Sequence, residues 1–300
     1  MAASVLTLIA APEAGARLAA AAAAAADAIA ALGAKISGTD WLAPGIACDV
    51  LFDALDPGGA DAAARAALGG AAVDVVAQPQ AGRRKRLLVA DLESTIIANE
   101  MLEELADAIG RRAEVAAITR RAMNGEIEFV AALKERVALL KDLPESVLAT
   151  AGARIRIDPG AAALVATMRA QGARTALVSG GFGVFASPIR DALGFDLAVA
   201  NELEIKAGRL TGTVREPILA GDSKLATLKR LAAELGLPLA ATLAVGDGAN
   251  DLPMIEAAGL GVAYHGKPAV AARARARIDH ADLAALLYVQ GYRSSEIIAA

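Results

Sequence analysis

Four short stretches of this 300-residue chain carry side chains that could do chemistry together. In Leu87-Leu88-Val89-Ala90-Asp91-Leu92-Glu93 an apolar run ends on an acid, with a second acid two residues later. A carboxylate is a weak nucleophile, but it suits phosphoryl transfer, whose loose transition state rewards positioning. The second acid, Glu93, can protonate a leaving alcohol and then activate water against the acyl phosphate. Alone, such a pair reads as an ordinary surface turn. Leu177-Val178-Ser179-Gly180-Gly181-Phe182 then sets a hydroxyl and glycine amides after another apolar run, a turn able to cradle phosphate oxygens. Lys224 opens an apolar-periodic helix through Leu228, Leu231 and Leu235. Finally, Leu243-Ala244-Val245-Gly246-Asp247-Gly248-Ala249-Asn250-Asp251 delivers a glycine-flanked acid, an amide and another acid. A second source of carboxylates beside Asp91 is what a six-coordinate Mg²⁺ site requires.

The elements that must position these groups follow from the periodicity. Strands are expected at Leu87–Ala90, Thr175–Val178, Leu197–Ala200, Thr242–Val245 and Gly261–Ala263, alternating with helices. That alternation predicts a Rossmann-like parallel α/β sheet covered on both faces, with ligands at the carboxyl ends of its strands. About eighty residues separate the first two strands and read mostly as helix: Leu102, Leu105 and Ile109 share one face, as do Phe129, Leu133, Val137 and Leu140. They predict a helical cap over about residues 98–157, inserted after the first strand of a core spanning 87–300.

Residues 1–80 read as strand, helix, strand, strand, helix, strand: Val5–Ala10, Glu13–Leu32, Lys35–Trp41, Ala47–Phe52, Ala60–Leu68 and Val73–Ala77. This order suits an α+β ferredoxin-like domain. The stretch 81–86, within a Pro-, Gly- and Arg-containing segment, reads as a solvated linker.

Composition narrows the chemistry. The net charge of −4 and 3% aromatic content argue against a nucleic-acid partner. Cys48 stands alone and His265 and His280 are the only histidines, so a cysteine or histidine metal cluster is excluded. Pro12, Glu13 and Arg17 interrupt the apolar N-terminal region, and no uninterrupted apolar stretch reaches membrane-spanning length. The expectation is a cytoplasmic protein without a membrane partner.

The four motifs, in this order and each at an expected strand end, resemble those of the haloacid dehalogenase superfamily. The resemblance covers Leu87 to about Tyr288. It implies Asp91 as nucleophile, and Mg²⁺ held by Asp91, Asp247, Asp251 and the backbone carbonyl of Glu93. It also implies phosphoryl binding by Ser179, Gly180 and Lys224, with Asn250 ordering the shell. A finer resemblance is to the phosphoserine phosphatases. Ile118-Thr119-Arg120-Arg121-Ala122-Met123-Asn124-Gly125, then Phe129 and Arg136-Val137, look like their cap segment, and Ala200-Asn201-Glu202-Leu203 is also similar. This implies that Met123 and Phe129 shield the site, that Arg136 binds the carboxylate of O-phosphoserine, and that Glu100 meets its ammonium. The implied reaction is release of serine and phosphate, the last step of serine biosynthesis.

One position departs from the pattern: Glu93 stands where most members carry aspartate. Two alternatives stay open: a phosphatase or phosphotransferase of the same superfamily acting on another small phosphomonoester, and, if Glu93 marks a lost acid/base, a catalytically silent amino-acid or phosphate sensor. The first eighty residues resemble the ACT-like domains that precede some phosphoserine phosphatases. A packing or homodimerisation module and a domain that binds an amino-acid effector are equally open readings.

Overall fold

The computed structural model describes residues 4–123 and 126–299, with the Met123 side chain outside the description. Met123, Asn124 and Gly125, part of the segment expected to shield the site, thus lie outside the described side chains.

The first strand, β1 (Ser4–Ala10), leads through a 3₁₀ turn at Pro12–Arg17 into α1 (Leu18–Ala31). The single helix expected from Glu13 therefore starts in a tighter coil. Gly15 explains it, because a Cβ there would lie 2.5 Å from the Gly45 carbonyl oxygen, and the chain is pressed against that turn. Next come β2 (Lys35–Ala43), β3 (Ala47–Asp53), α2 (Pro57–Leu68) and β4 (Val73–Pro79). Asp56 caps α2 by accepting from Gly59 N at 2.9 Å, with Pro57 in the first turn. The strands form one antiparallel sheet in the order β2-β3-β1-β4, the ferredoxin-like arrangement expected from the element order.

Both faces of the strands β1, β3 and β4 are largely buried, while the edge strand β2 is mostly exposed. Leu6, Leu8, Val50, Phe52 and Val75 pack against Leu18, Ala25 and Ile29 of α1 and Ala60 and Ala64 of α2. Ile9, Ala47 and Val76 join the core of the second half of the chain instead. The 20-residue helical run Pro12–Ala31, at mean hydropathy 1.3, is long and apolar enough to cross a membrane. Glu13, Arg17 and Asp27 lie within it, so it is not an uninterrupted apolar stretch. In the fold, its apolar side is committed to the sheet.

The second half begins with β5 (Leu87–Ala90), followed by α3 (Met101–Asp107), α4 (Arg112–Met123), α5 (Phe129–Ala138), α6 (Ser146–Gly152) and α7 (Ala161–Ala170). Then come β6 (Arg174–Phe182), α8 (Gly183–Leu193), β7 (Leu197–Asn201), β8 (Leu203–Lys206), β9 (Arg209–Val214) and α9 (Gly221–Glu234). The chain closes with β10 (Thr242–Gly246), α10 (Leu252–Ala257), β11 (Leu260–Tyr264), α11 (Pro268–Ala271), β12 (Ala276–Ile278) and α12 (Ala285–Val289). Six strands pair in parallel in the order β12-β11-β10-β5-β6-β7. Leu88 and Ala90 point to the face covered by α7, α8 and α12; Leu87 and Val89 point to the face covered by α9 and α10. From β5 the chain winds outward through β6 and β7, then returns to β10 on the other side. The switch point lies beside β5, where open α/β sheets bind ligands.

The short strand β12 and the β8–β9 hairpin were not expected. The hairpin docks on the helical insertion: Asp142 N donates to Leu210 O (2.9 Å), Leu210 N to Leu143 O (2.9 Å) and Glu145 N to Gly208 O (2.8 Å). The segment 81–86 is mostly exposed, and its cations are also paired. Arg83 meets Asp49 at 2.6 Å, Arg84 pairs with Glu296 at 2.8 Å, and buried Lys85 donates to the carbonyls of Gly82 and Ala240. These cations reach partners on both sides of the segment, which ties it down.

A buried carboxylate joins the halves. Asp74 of β4, 0% exposed, accepts from Asp279 N (2.7 Å), His280 N (3.2 Å) and Ala281 N (2.8 Å) just after β12. Asp74→Ala strands these donors without partners. It should lower unfolding free energy by about 3 kcal/mol or more, read from urea melts, with secondary structure unchanged at low denaturant.

Candidate active site

Asp91 is the first residue beyond β5, and its backbone N–H donates to Val245 O at 3.0 Å, continuing the ladder with β10. The same pairing brings Asp247, just past β10, to the same edge. Gly246 lets the next turn fold tightly over Asp251, since a Cβ at Gly246 would lie 2.3 Å from the Asp251 carboxyl carbon. Oxygens of Asp91, Asp247 and Asp251 all lie within 4.8 Å of one another, and all three residues are buried. From the first turn of α9, the Lys224 ammonium contacts Asp91 Oδ1 at 2.6 Å and Asp251 Oδ1 at 2.5 Å. Asp251 Oδ2 accepts from Gly248 N at 3.0 Å.

Electrostatics follow from that crowding. Burial and the Asp251 charge push the Asp91 carboxyl well above its usual range, with Lys224 opposing and Asp247 adding. Asp247 is raised to about 6 by burial, against the pull of Lys267, with Asp251 raising it further. Burial works against charge on Lys224, but Asp251 and Asp91 outweigh it and hold the ammonium protonated. When all three carboxyls are ionised they face two ammonium groups, Lys224 and Lys267, and carry one negative charge more than these cations offset. The donor set is all oxygen, so a hard divalent cation such as Mg²⁺ fits it.

Glu93 lies in the same pocket. Its Oε1 accepts from Met101 N at 2.9 Å, at the start of α3. Burial first, then repulsion from Glu100, raise its pKa to about 7, opposed by the Met101 N–H, Arg136 and Lys224. Ser94, left-handed at φ 54°, donates from Oγ to Glu100 Oε1 at 2.7 Å and so aims that acid. Arg136 is buried in α5, where Nε donates to Ala132 O and Nη1 to Thr119 Oγ1, both at 3.1 Å.

A cavity of about 300 Å³ unites Asp91, Glu93, Glu100, Phe129, Arg136, Gly180, Asp247 and Asn250 beneath the helical insertion. Ser179 and Lys224 line a small adjoining recess that shares Phe129, Gly180 and Asn250 with the cavity. Ser179 Oγ accepts from Gly181 N at 2.9 Å. Asp251 is buried behind Lys224 and Gly248 and does not line the cavity.

Sequence reasoning missed Lys267 and Thr119, which also line the cavity. Lys267 Nζ meets Asp247 Oδ2 at 3.1 Å, and its N–H donates to Asp247 O at 3.0 Å. A cation just past a fourth strand end, that of β11, was the available signal. Thr119 had none, because its role depends on how α4 packs on α5.

The haloacid dehalogenase-like hydrolase family matches residues 88–256. A phosphoserine phosphatase of Streptococcus thermophilus is 46% identical over 199 residues, covering 66% of this chain and 93% of that protein. The chain belongs to the phosphoserine phosphatases of the haloacid dehalogenase-like hydrolases. A relative so named from Streptomyces coelicolor is 43% identical over 238 residues, 79% of this chain and 58% of that protein. The chain spans little more than half the length of such longer relatives. A solved phosphoserine phosphatase carrying a phospho-aspartyl intermediate analogue superposes with TM-score 0.65 at 39% identity, covering 68% of this chain and 98% of that one.

In this family member, Gly181 makes room for the longer acid, since a Cβ there would sit 2.9 Å from Glu93 Oε2. Gly181→Ala should displace Glu93 and lower kcat on a phosphomonoester by about tenfold to a hundredfold, with a thermal melt close to native. Unchanged kcat would show that the Glu93 position does not matter to turnover.

Proposed function

We propose that this chain hydrolyses O-phosphoserine to serine and phosphate through a phosphorylated Asp91. The observation that carries the reading is a single cavity holding a buried strand-end carboxylate below, and an acid and a guanidinium on the cap side. Asp91 attacks phosphorus, and the bond to the seryl oxygen breaks. Glu93, protonated, gives its proton to that oxygen and serine leaves. Glu93, now a carboxylate, takes a proton from water as the water oxygen attacks phosphorus, and phosphate leaves with Asp91 restored. A carboxyl with pKa about 7 suits both the donating and accepting roles near neutral pH. Ser179, Gly180 and Lys224 hold the phosphoryl oxygens, with Asn250 beside them.

Asp91, Asp247, Asp251 and the Glu93 carbonyl would hold Mg²⁺, which when bound supplies charge stabilisation for the transferring phosphoryl group. Arg136 meets the substrate carboxylate and Glu100 its ammonium, while Phe129 closes the cavity above Gly180. In this reading the protein is cytoplasmic, consistent with an α1 whose apolar side packs on its own sheet.

Phosphate release from a panel of small phosphomonoesters, with and without Mg²⁺, tests this directly. O-Phosphoserine should exceed phosphoethanolamine, which lacks the carboxylate, by about tenfold to a hundredfold in kcat/KM, the worth of one charge-assisted contact of roughly 1.5–3 kcal/mol. Equal efficiency on the two would remove Arg136 from substrate selection. Asp91→Asn, whose amide cannot form an acyl phosphate, should fold normally and lose turnover; retained magnesium-dependent activity would overturn the nucleophile assignment.

A further inference from the structure

We propose that Asn201, at the carboxyl end of β7, is a positioning residue that holds the phosphate-binding turn in register with the segment leading to Lys224. This rests on the reading that Ser179, Gly180 and Lys224 grip the phosphoryl group.

The need for such a residue is visible in the sheet. Strands β6 and β7 pair in register up to Val178↔Val199, and resume only at Phe182↔Asn201. Residues 179–181 leave the ladder, so their peptide groups lose the strand partners that would otherwise fix them. Asn201 supplies what is missing. It is 3% exposed, and its Nδ2 donates to Gly180 O at 2.9 Å. The peptide unit between Gly180 and Gly181 is thereby held at both ends: Asn201 binds its carbonyl, and Ser179 Oγ accepts from its N–H at 2.9 Å. Fixing that peptide plane fixes the direction of the Ser179 hydroxyl.

The same carboxamide reaches the other arm of the site. Asn201 Nδ2 donates to Leu219 O at 3.3 Å, and its Oδ1 accepts from Leu219 N at 2.7 Å. Leu219 and Ala220 line the recess shared with Ser179 and Lys224, and Ala220 immediately precedes α9, whose first turn carries Lys224. One buried amide therefore sets the spacing between the hydroxyl and the ammonium. The task needs donors and an acceptor on one planar group. A carboxylate offers no donor at neutral pH, and a serine hydroxyl cannot span both loops.

The test uses the full chain with Asn201→Asp, Asn201→Ser and Asn201→Gln. Four quantities are measured: the dissociation constant for inorganic phosphate with Mg²⁺ present, kcat and KM on O-phosphoserine, and the thermal midpoint. Asn201→Asp and Asn201→Ser should weaken phosphate binding by about tenfold or more, a loss on the scale of one well-placed hydrogen bond. KM should rise with it, while Asn201→Gln, which keeps both donor and acceptor, falls between native and Asn201→Asp. A purely structural residue would lower the thermal midpoint and leave phosphate affinity alone. Phosphate affinity and kcat/KM within about twofold of native in the variants that fold would overturn the assignment, whatever the midpoint does. A native chain that binds phosphate but does not hydrolyse O-phosphoserine would sink the substrate reading alone, because the phosphate measurements still judge Asn201.

Discussion

The site depends on one buried ammonium. Asp91, Asp247 and Asp251 stand at the ends of adjacent elements with oxygens within 4.8 Å of one another, and burial makes their mutual repulsion costly. Lys224 bridges two of them and holds the third side of the site in reach of the turn at residues 179–181. That contact exists only because α9 begins where it does, anchored by Leu228 and Leu231 on the sheet face that also carries Leu87 and Val89. A slip of one residue in the β5–β10 register would turn Asp91 away from its partners, since strand side chains alternate between faces. The excess negative charge that remains makes the cluster receptive to a hard cation.

Above this floor, the cap contributes groups of opposite sign. Glu100 and Arg136 face the same cavity, and each is aimed by a hydroxyl partner, Ser94 and Thr119 respectively. Glu93 sits between floor and cap. Its side chain reaches the first turn of α3 and lies against the Gly181 backbone. The longer acid is thus matched by local geometry. The β8–β9 hairpin adds a second attachment of the cap to the body, through backbone hydrogen bonds to residues 142–145.

The N-terminal domain is packed against this body by more than apolar contact. Asp74 accepts backbone N–H groups that follow β12, Asp49 takes Arg83, and Gln78 donates to Val289 O at 2.6 Å. Directional bonds of this kind, buried where water cannot replace them, fix one relative orientation. Packing is the role of this domain that has a visible contact.

The sequence by itself determined the elements that rest on local pattern. Apolar runs of strand length, alternation with 3.6-periodic helices, and the acids, hydroxyl and lysine at their ends were legible, because propensity and periodicity act over a few residues. The parallel sheet covered on both faces followed from them, as did the ferredoxin-like order of the first eighty residues, whereas the cap residues Glu100, Phe129 and Arg136 were legible only through the family resemblance. Tertiary structure alone decided the rest. Thr119 orients Arg136 only because α4 lies on α5; Lys267 reaches Asp247 only because β11 lies beside β10. The basic segment 81–86 is mostly exposed, and composition could not name the partners of its cations, Asp49, Ala240 and Glu296, which lie far away in the chain. The β8–β9 hairpin gains its place from a cap loop more than sixty residues earlier. Each is a contact between distant residues, and its energy appears only once the chain has brought both partners out of water together.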